Sequence, residues 1–143
     1  QAAQLAGKRV ATAKGSSMEV NIKKAVPTAN VISFDTSPQA LVAMQQGKAV
    51  AFVNDEVSLV RAMVQLGDQR KDYKLLPTII SIEPLALGIK KGEAGFKKVV
   101  DDTLREMEAS GKAEGLYEQW FGQKSSLKMD KRAFKFETDK VAE

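Results

Sequence analysis

The chain of 143 residues contains no cysteine and no histidine. Lacking cysteine, it has no disulfide framework, no thiol nucleophile and no thiolate metal site. Lacking histidine, it has no imidazole base and no Ser-His-Asp arrangement. No apolar run approaches the ~20 residues of a membrane-spanning helix. Neither a P-loop nor a dinucleotide-binding glycine fingerprint occurs. The start, Gln1-Ala2-Ala3-Gln4, has neither the basic region nor the apolar stretch of an export signal. Enzyme classes that depend on these groups are excluded, and no catalytic residue, metal ligand or cofactor is assigned.

What is present suits one domain with a real core: 43% hydrophobic and 28% charged residues. The 22 Lys and Arg are interspersed with 18 Asp and Glu, for a net charge of +4. No basic run is interleaved with aromatics, so the charge reads as a solvated mixed surface and not as a nucleic-acid interface. A weak positive field of this kind favours a small anionic ligand.

Apolar patterning predicts alternating strands and helices. Arg9 to Ala13 reads as a strand and Met18 to Ala25 as a helix, with Met18, Ile22 and Ala25 on one face. Ser16 or Ser17 caps that helix, and Glu19 sits in its first turn. Val31 to Phe34 is a second strand, rich in β-branched and aromatic residues. Ser37 as N-cap with Pro38 behind it starts a second helix, with Leu41 and Met44 inward and Gly47 at its end. Ala49 to Val53 is a third strand, apolar throughout as a doubly covered strand is. Glu56 to Leu66 is helical, with Val57, Val60 and Val64 on one face. Asp68 to Lys74 reads as a charged loop. Short strands are expected at Leu75-Leu76 with Ile79-Ile80 and at Leu85 to Ile89, followed by helices from Ala94 to Ser110 and from Ala113 to Phe121. In the polar tail Phe134 and Phe136 alternate, as in a segment lying extended against a surface. The fold class is therefore α/β with a parallel sheet.

Ligands of such sheets gather at the carboxyl ends of the strands. Gly15, Ser16 and Ser17 follow the first strand and open a helix. Exposed N–H groups, two hydroxyls and a helix N-terminus there suit a carboxylate, although an ordinary tight turn uses the same residues. Asp55, just past the third strand, suits an ammonium group and equally suits an N-cap. Ser37 lies at the end of the second strand, where capping accounts for it. Tyr117, Trp120 and Phe121 stand at helical spacing and read as core. Asp101-Asp102 and Glu106 with Glu108 read as a solvated, ion-paired helix face beside Lys97, Lys98 and Arg105.

Four segments carry a family resemblance in order: Leu5 to Ser17, Gly47 to Asp55, Glu83 to Gly92, and Gly111 to Gly122. Together they resemble the second lobe and return segment of type II periplasmic binding proteins for polar amino acids, most closely the glutamate/aspartate-binding branch. The resemblance implies a three-layer lobe over residues 5–82, a return strand and two helices of the first lobe over 83–122, and a polar tail over 123–143. It implies a solute-binding component of an amino-acid ABC importer, exported to the periplasm and working with a permease, and not an enzyme. In this reading Gly15, Ser16 and Ser17 hold the ligand α-carboxylate, Asp55 the α-ammonium, and Asn54 and Ser37 lie near the ligand side chain. The rest of the first lobe, with its carboxylate-clamping arginine, is expected outside this chain, as is the export signal. A catalytic relative such as a cyclohexadienyl dehydratase and a sensor lobe are the alternatives. With its usual partner absent, the apolar face after Pro84 is expected to pair with a second copy, in a homodimer.

Overall fold

The computed structural model describes residues 2–138; Gln1 and tail residues 139–143 lie outside the described set. The chain divides after Glu83 into two compact units. The first holds β1 (Arg9–Ala13), α1 (Ser17–Ala25), β2 (Asn30–Phe34), α2 (Ser37–Gln45), β3 (Ala51–Phe52) and α3 (Glu56–Gln65). The second holds α4 (Ala94–Ala109) and α5 (Lys112–Trp120). Among the described residues no helix is long and apolar enough to cross a membrane.

The three strands form a parallel sheet in the order β2-β1-β3. Val10 stands opposite both Val31 and Ala51. Backbone bonds extend the β3 pairing past its two strand residues: Val50 N–H donates to Arg9 O and Val53 N–H to Ala11 O, both at 2.9 Å. β1 is thus paired along both edges. Its neighbours Val10 and Ala11 point to opposite faces. Val10 packs with Leu5, Ile22 and Val26, while Ala11 packs with Ala40 and Ala49. Each face receives its own helix, α1 through Ile22 and α2 through Ala40.

Several expectations shift by local geometry. On α1 the buried position after Ile22 is Val26, one step beyond Ala25, because the helix ends there and Val26 turns inward as its C-cap. Alanines Ala40 and Ala43 form the buried seam of α2, with Leu41 and Met44 half-covered, since small side chains let the helix lie close to the sheet. Gly47 follows α2 at φ +72°, a left-handed conformation that costs glycine little. The inward residues of α3 are Ala62 and Leu66, and Val64 is exposed. The segment from Asp68 to Lys74, expected as a charged loop, is largely taken up by a 3-10 helix over Gly67–Asp72.

The largest departure lies between Leu75 and Ile89. No strand forms there among the described residues. Ile80 packs against the Val10 and Ile22 cluster, but Ile82 and Leu85 are fully or almost fully exposed. A strand needs a neighbour for its N–H and C=O groups, and the sheet of the described residues ends at β2 and β3 without adding this segment.

In the second unit the tail is held down. Arg132, only 4% exposed in its side chain, makes a two-pronged ion pair with Glu108 of α4, one prong (Nη1 to Oε2) at 2.9 Å. Its guanidinium lies over the rings of Phe134 and Phe136, 4.8 and 4.9 Å from their centroids. Phe136 N–H donates to Glu108 Oε1, and Tyr117 Oη donates to Asp130 O at 2.9 Å. Glu108 is therefore a clamp, correcting its reading as part of a solvated face. Its pKa falls to about 2, first through the Arg132 hydrogen bond and then through the Phe136 N–H. Asp101 and Asp102 do form the expected i,i+4 pairs, with Lys97 and Lys98. Tyr117 and Phe121 are half-buried as expected of core, but Trp120 is 63% exposed, a correction that follows from its place on the outer side of α5.

Ile22 has no exposed surface and anchors α1 to the sheet. Ile22→Ala is expected to cost about 2–5 kcal/mol in urea unfolding of the chain. Val20→Ala, on the exposed side of the same helix, should stay within about 0.5 kcal/mol. Equal effects at the two positions would show that α1 docks by another face.

Candidate functional site

The carboxyl ends of β1 and β3 lie side by side, and the connections that follow them diverge. From β1 the chain runs through α1 to β2 on one side; β3 lies on the other side. This is the switch point at which open α/β sheets form crevices. Thr12, fully buried, links the two strands there, its hydroxyl donating to Val53 O at 3.2 Å. The loop Lys14 to Ser17 leaves β1 and Asn54-Asp55 leaves β3 at this edge.

Gly15 adopts φ +71°, which turns the chain from strand into helix. Ser16 is the N-cap of α1: its hydroxyl accepts from Glu19 N–H at 3.2 Å and donates to Ala13 O at 2.7 Å. Gly15 N–H donates to the Glu19 carboxylate at 2.8 Å. Ser17 Oγ donates to Glu83 Oε2 at 2.6 Å. Across the edge, Asp55 is the N-cap of α3, its carboxylate accepting from Ser58 N–H at 2.9 Å. Asn54 Oδ1 accepts from Asp55 N–H at 3.0 Å. Capping therefore engages Ser16 and Asp55, as the alternative to ligand binding anticipated. Only one oxygen of Asp55 is used in that bond, and the side chain is exposed.

Ser37 stands in a different role from the one expected. Thr36 is the N-cap of α2, in a reciprocal capping box with Gln39, and Pro38 falls in the first turn. The box needs Gln or Glu three residues after the cap, which Thr36 has in Gln39 and Ser37 lacks in Ala40. Ser37 is thus the first helical residue, half-buried at the end of β2.

Two carboxylates missing from the candidate set sit among its donors. Glu19 accepts from Gly15 N–H, from Ser33 Oγ at 2.8 Å and from Lys23 Nζ at 2.6 Å. Together these hydrogen bonds, Lys23 first, lower its pKa from 4.5 to about 2. Glu83 accepts from Ser17, Asn21 and Ser81. The position of Glu19 in the first turn was visible in the sequence; its bond to Ser33 on β2 was not, because it depends on the β1-β2 register. No signal announced Glu83, which lies 66 residues from Ser17.

No family model matches the chain. It is 28% identical over 114 residues to the ABC transporter glutamine-binding protein GlnH of Bacillus subtilis, covering 80% of this chain and 40% of that one. It is 32% identical over 124 residues to the L-glutamate/L-aspartate-binding protein of Pseudomonas aeruginosa, covering 83% and 40%. A third relative is the glutamate/aspartate import solute-binding protein of Escherichia coli, 28% identical over 125 residues, again covering 83% and 40%. The chain is homologous to amino-acid-binding proteins. These homologues are binding proteins rather than enzymes, and the chain spans about 40% of their length.

A pH test isolates Glu19. Its folded pKa lies below its ordinary value, so the stability it contributes is complete above about pH 4.5 and is lost as pH falls toward about 2. The melting temperature of the Glu19→Gln variant should fall less steeply than that of the unaltered chain across this window. Subtracting the two curves removes Glu108, which titrates in the same range. Parallel curves would show that the Glu19 contacts add nothing to folding.

Proposed function

We propose that this chain is the second lobe and return segment of an amino-acid-binding protein of an ABC importer, working in the periplasm with a permease. The observation that carries this reading is the placement of Gly15, Ser16 and Ser17 and of Asp55 on neighbouring strand ends at the switch point, in a chain whose relatives bind amino acids. In this reading the donors of the β1 loop receive the α-carboxylate and the free oxygen of Asp55 receives the α-ammonium. Asn54 and Ser37 flank the ligand side chain. The ligand is a polar, acidic amino acid; the glutamate/aspartate-binding relatives and the net charge of +4 favour it. The first unit is the three-layer lobe of the type II periplasmic fold, and α4 and α5 are helices of the first lobe.

Asp55→Asn provides a clean test, because asparagine caps a helix about as well as aspartate and removes only the charge. Calorimetry with L-glutamate should show affinity weakened by about tenfold to a hundredfold, the scale of a hydrogen bond to a charged group. An unchanged affinity removes Asp55 from the ligand site.

The reading extends to assembly. Phe96 and Val99 on α4 and Leu116 and Trp120 on α5 are exposed, and burial of each large apolar side chain is worth about 1.5–3 kcal/mol. We propose that residues after Pro84 pair two copies of the chain. Sedimentation velocity over a concentration series should show a monomer–dimer equilibrium that Trp120→Glu abolishes; a monomer at every concentration rejects the pairing.

A further inference from the structure

The Ser17 hydroxyl has one hydrogen to donate, and Glu83 takes it at 2.6 Å. Glu83 is no incidental neighbour. Its Oε1 also accepts from the Asn21 side-chain amide and from Ser81 Oγ at 3.2 Å, and the same Asn21 amide donates to Ser81 Oγ at 3.0 Å. Three hydrogen bonds thus fix residues 81–83 onto the N-terminal half of α1, and a fourth joins Ser81 to Glu83. The carboxylate stands where an incoming carboxylate would have to stand to use the Ser17 hydroxyl. Two carboxylates cannot share one hydroxyl hydrogen, and their like charges oppose close approach.

We infer that Glu83 is a specificity-determining residue: an internal carboxylate that holds Ser17 and must be exchanged for the ligand's own. The inference rests on the reading of Ser17 as a ligand-carboxylate donor. A ligand with an α-carboxylate replaces Glu83 like for like, and Glu83 moves into water, where its exposed position lets it be solvated. A ligand without that group offers Ser17 a poorer acceptor and leaves Glu83 in place. Glu83 therefore lowers affinity for ligands that take up Ser17, leaves the others untouched, and so sets the margin by which carboxylate-bearing ligands are preferred, narrowing it. The carboxylate also ties ligand entry to release of residues 81–83, because the same side chain anchors them.

The test is a double-substitution cycle read by calorimetry and by amide NMR titration, with L-glutamate as probe and 4-aminobutanoate, which lacks the α-carboxylate, as control. Glu83→Gln, a weaker uncharged acceptor, should tighten L-glutamate binding by about tenfold. The gain should vanish in the Ser17→Ala background, and 4-aminobutanoate binding should not tighten. A gain of equal size in both backgrounds would assign the effect to long-range charge and overturn the inference. So would unchanged or weaker binding by Glu83→Gln alongside a loss in Ser17→Ala, a result that keeps the ligand site intact. If Ser17→Ala binds L-glutamate normally, or if neither the unaltered chain nor Glu83→Gln binds it at millimolar concentration, the ligand-site reading fails and takes this inference with it.

Discussion

β1 is paired along both edges and covered on both faces, and the order of the first unit follows from that position. Its backbone N–H and C=O groups reach β2 on one side and the β3 segment on the other. Val10, Ala11 and Thr12 are all fully buried. A polar hydroxyl in that place would be costly without a partner, and Thr12 finds one in Val53 O across the strand gap. The bond fixes the end of β3 against the end of β1, which is where the two loops of the candidate site emerge. Small residues on α2, Ala40 and Ala43, then allow one helix to approach closely while Ile22 fills the opposite face.

At the carboxyl edge the chain's own acids satisfy its own donors. Gly15 N–H, Ser17 Oγ and Ser58 N–H go to Glu19, Glu83 and Asp55 respectively. Open donors at helix starts are favourable places for negative charge, so these contacts follow from ordinary helix-end electrostatics. In the proposed reading, a ligand carboxylate arriving here competes with residues already in place. Affinity at such an edge is a difference between two sets of similar hydrogen bonds, which is why single substitutions of the internal acids are informative about the site.

The second unit relies on a different device. There the tail is held to α4 by Arg132, nearly buried, gripped by Glu108 and flanked by two phenylalanine rings. Arginine suits this place because its planar cation forms two parallel bonds to a carboxylate while its faces stack on aromatics. Lysine would keep the charge and lose both geometries. The alternation of Phe134 and Phe136 acquires its sense from this contact: the two rings flank a residue that points between them.

Sequence alone determined what local chemistry decides. Strands β1 and β2, the extents of α1, α3 and α4 to within a residue or so, the turns at Gly15 and Gly47, and the cap at Asp55 all depend on neighbours within a few positions, and periodicity and capping rules read them; for α1 they narrowed the cap to Ser16 or Ser17, and the structure selects Ser16. The cap of α2 was misplaced by one residue because two hydroxyl residues stand side by side and only the reach of Gln39 chooses between them. Tertiary structure alone decided the strand order, the inward choice among apolar residues of α3, and the absence of strands between Leu75 and Ile89. Apolar β-branched residues permit a strand, but a ladder exists only where a second segment supplies hydrogen-bonding partners. The same holds for the acids of the site. Glu83 and Ser17 are 66 positions apart, and Glu108 and Arg132 are 24 apart. A charged side chain in a sequence has many partners open to it; which one it meets is settled by the path of the backbone between them, and no local pattern encodes that path.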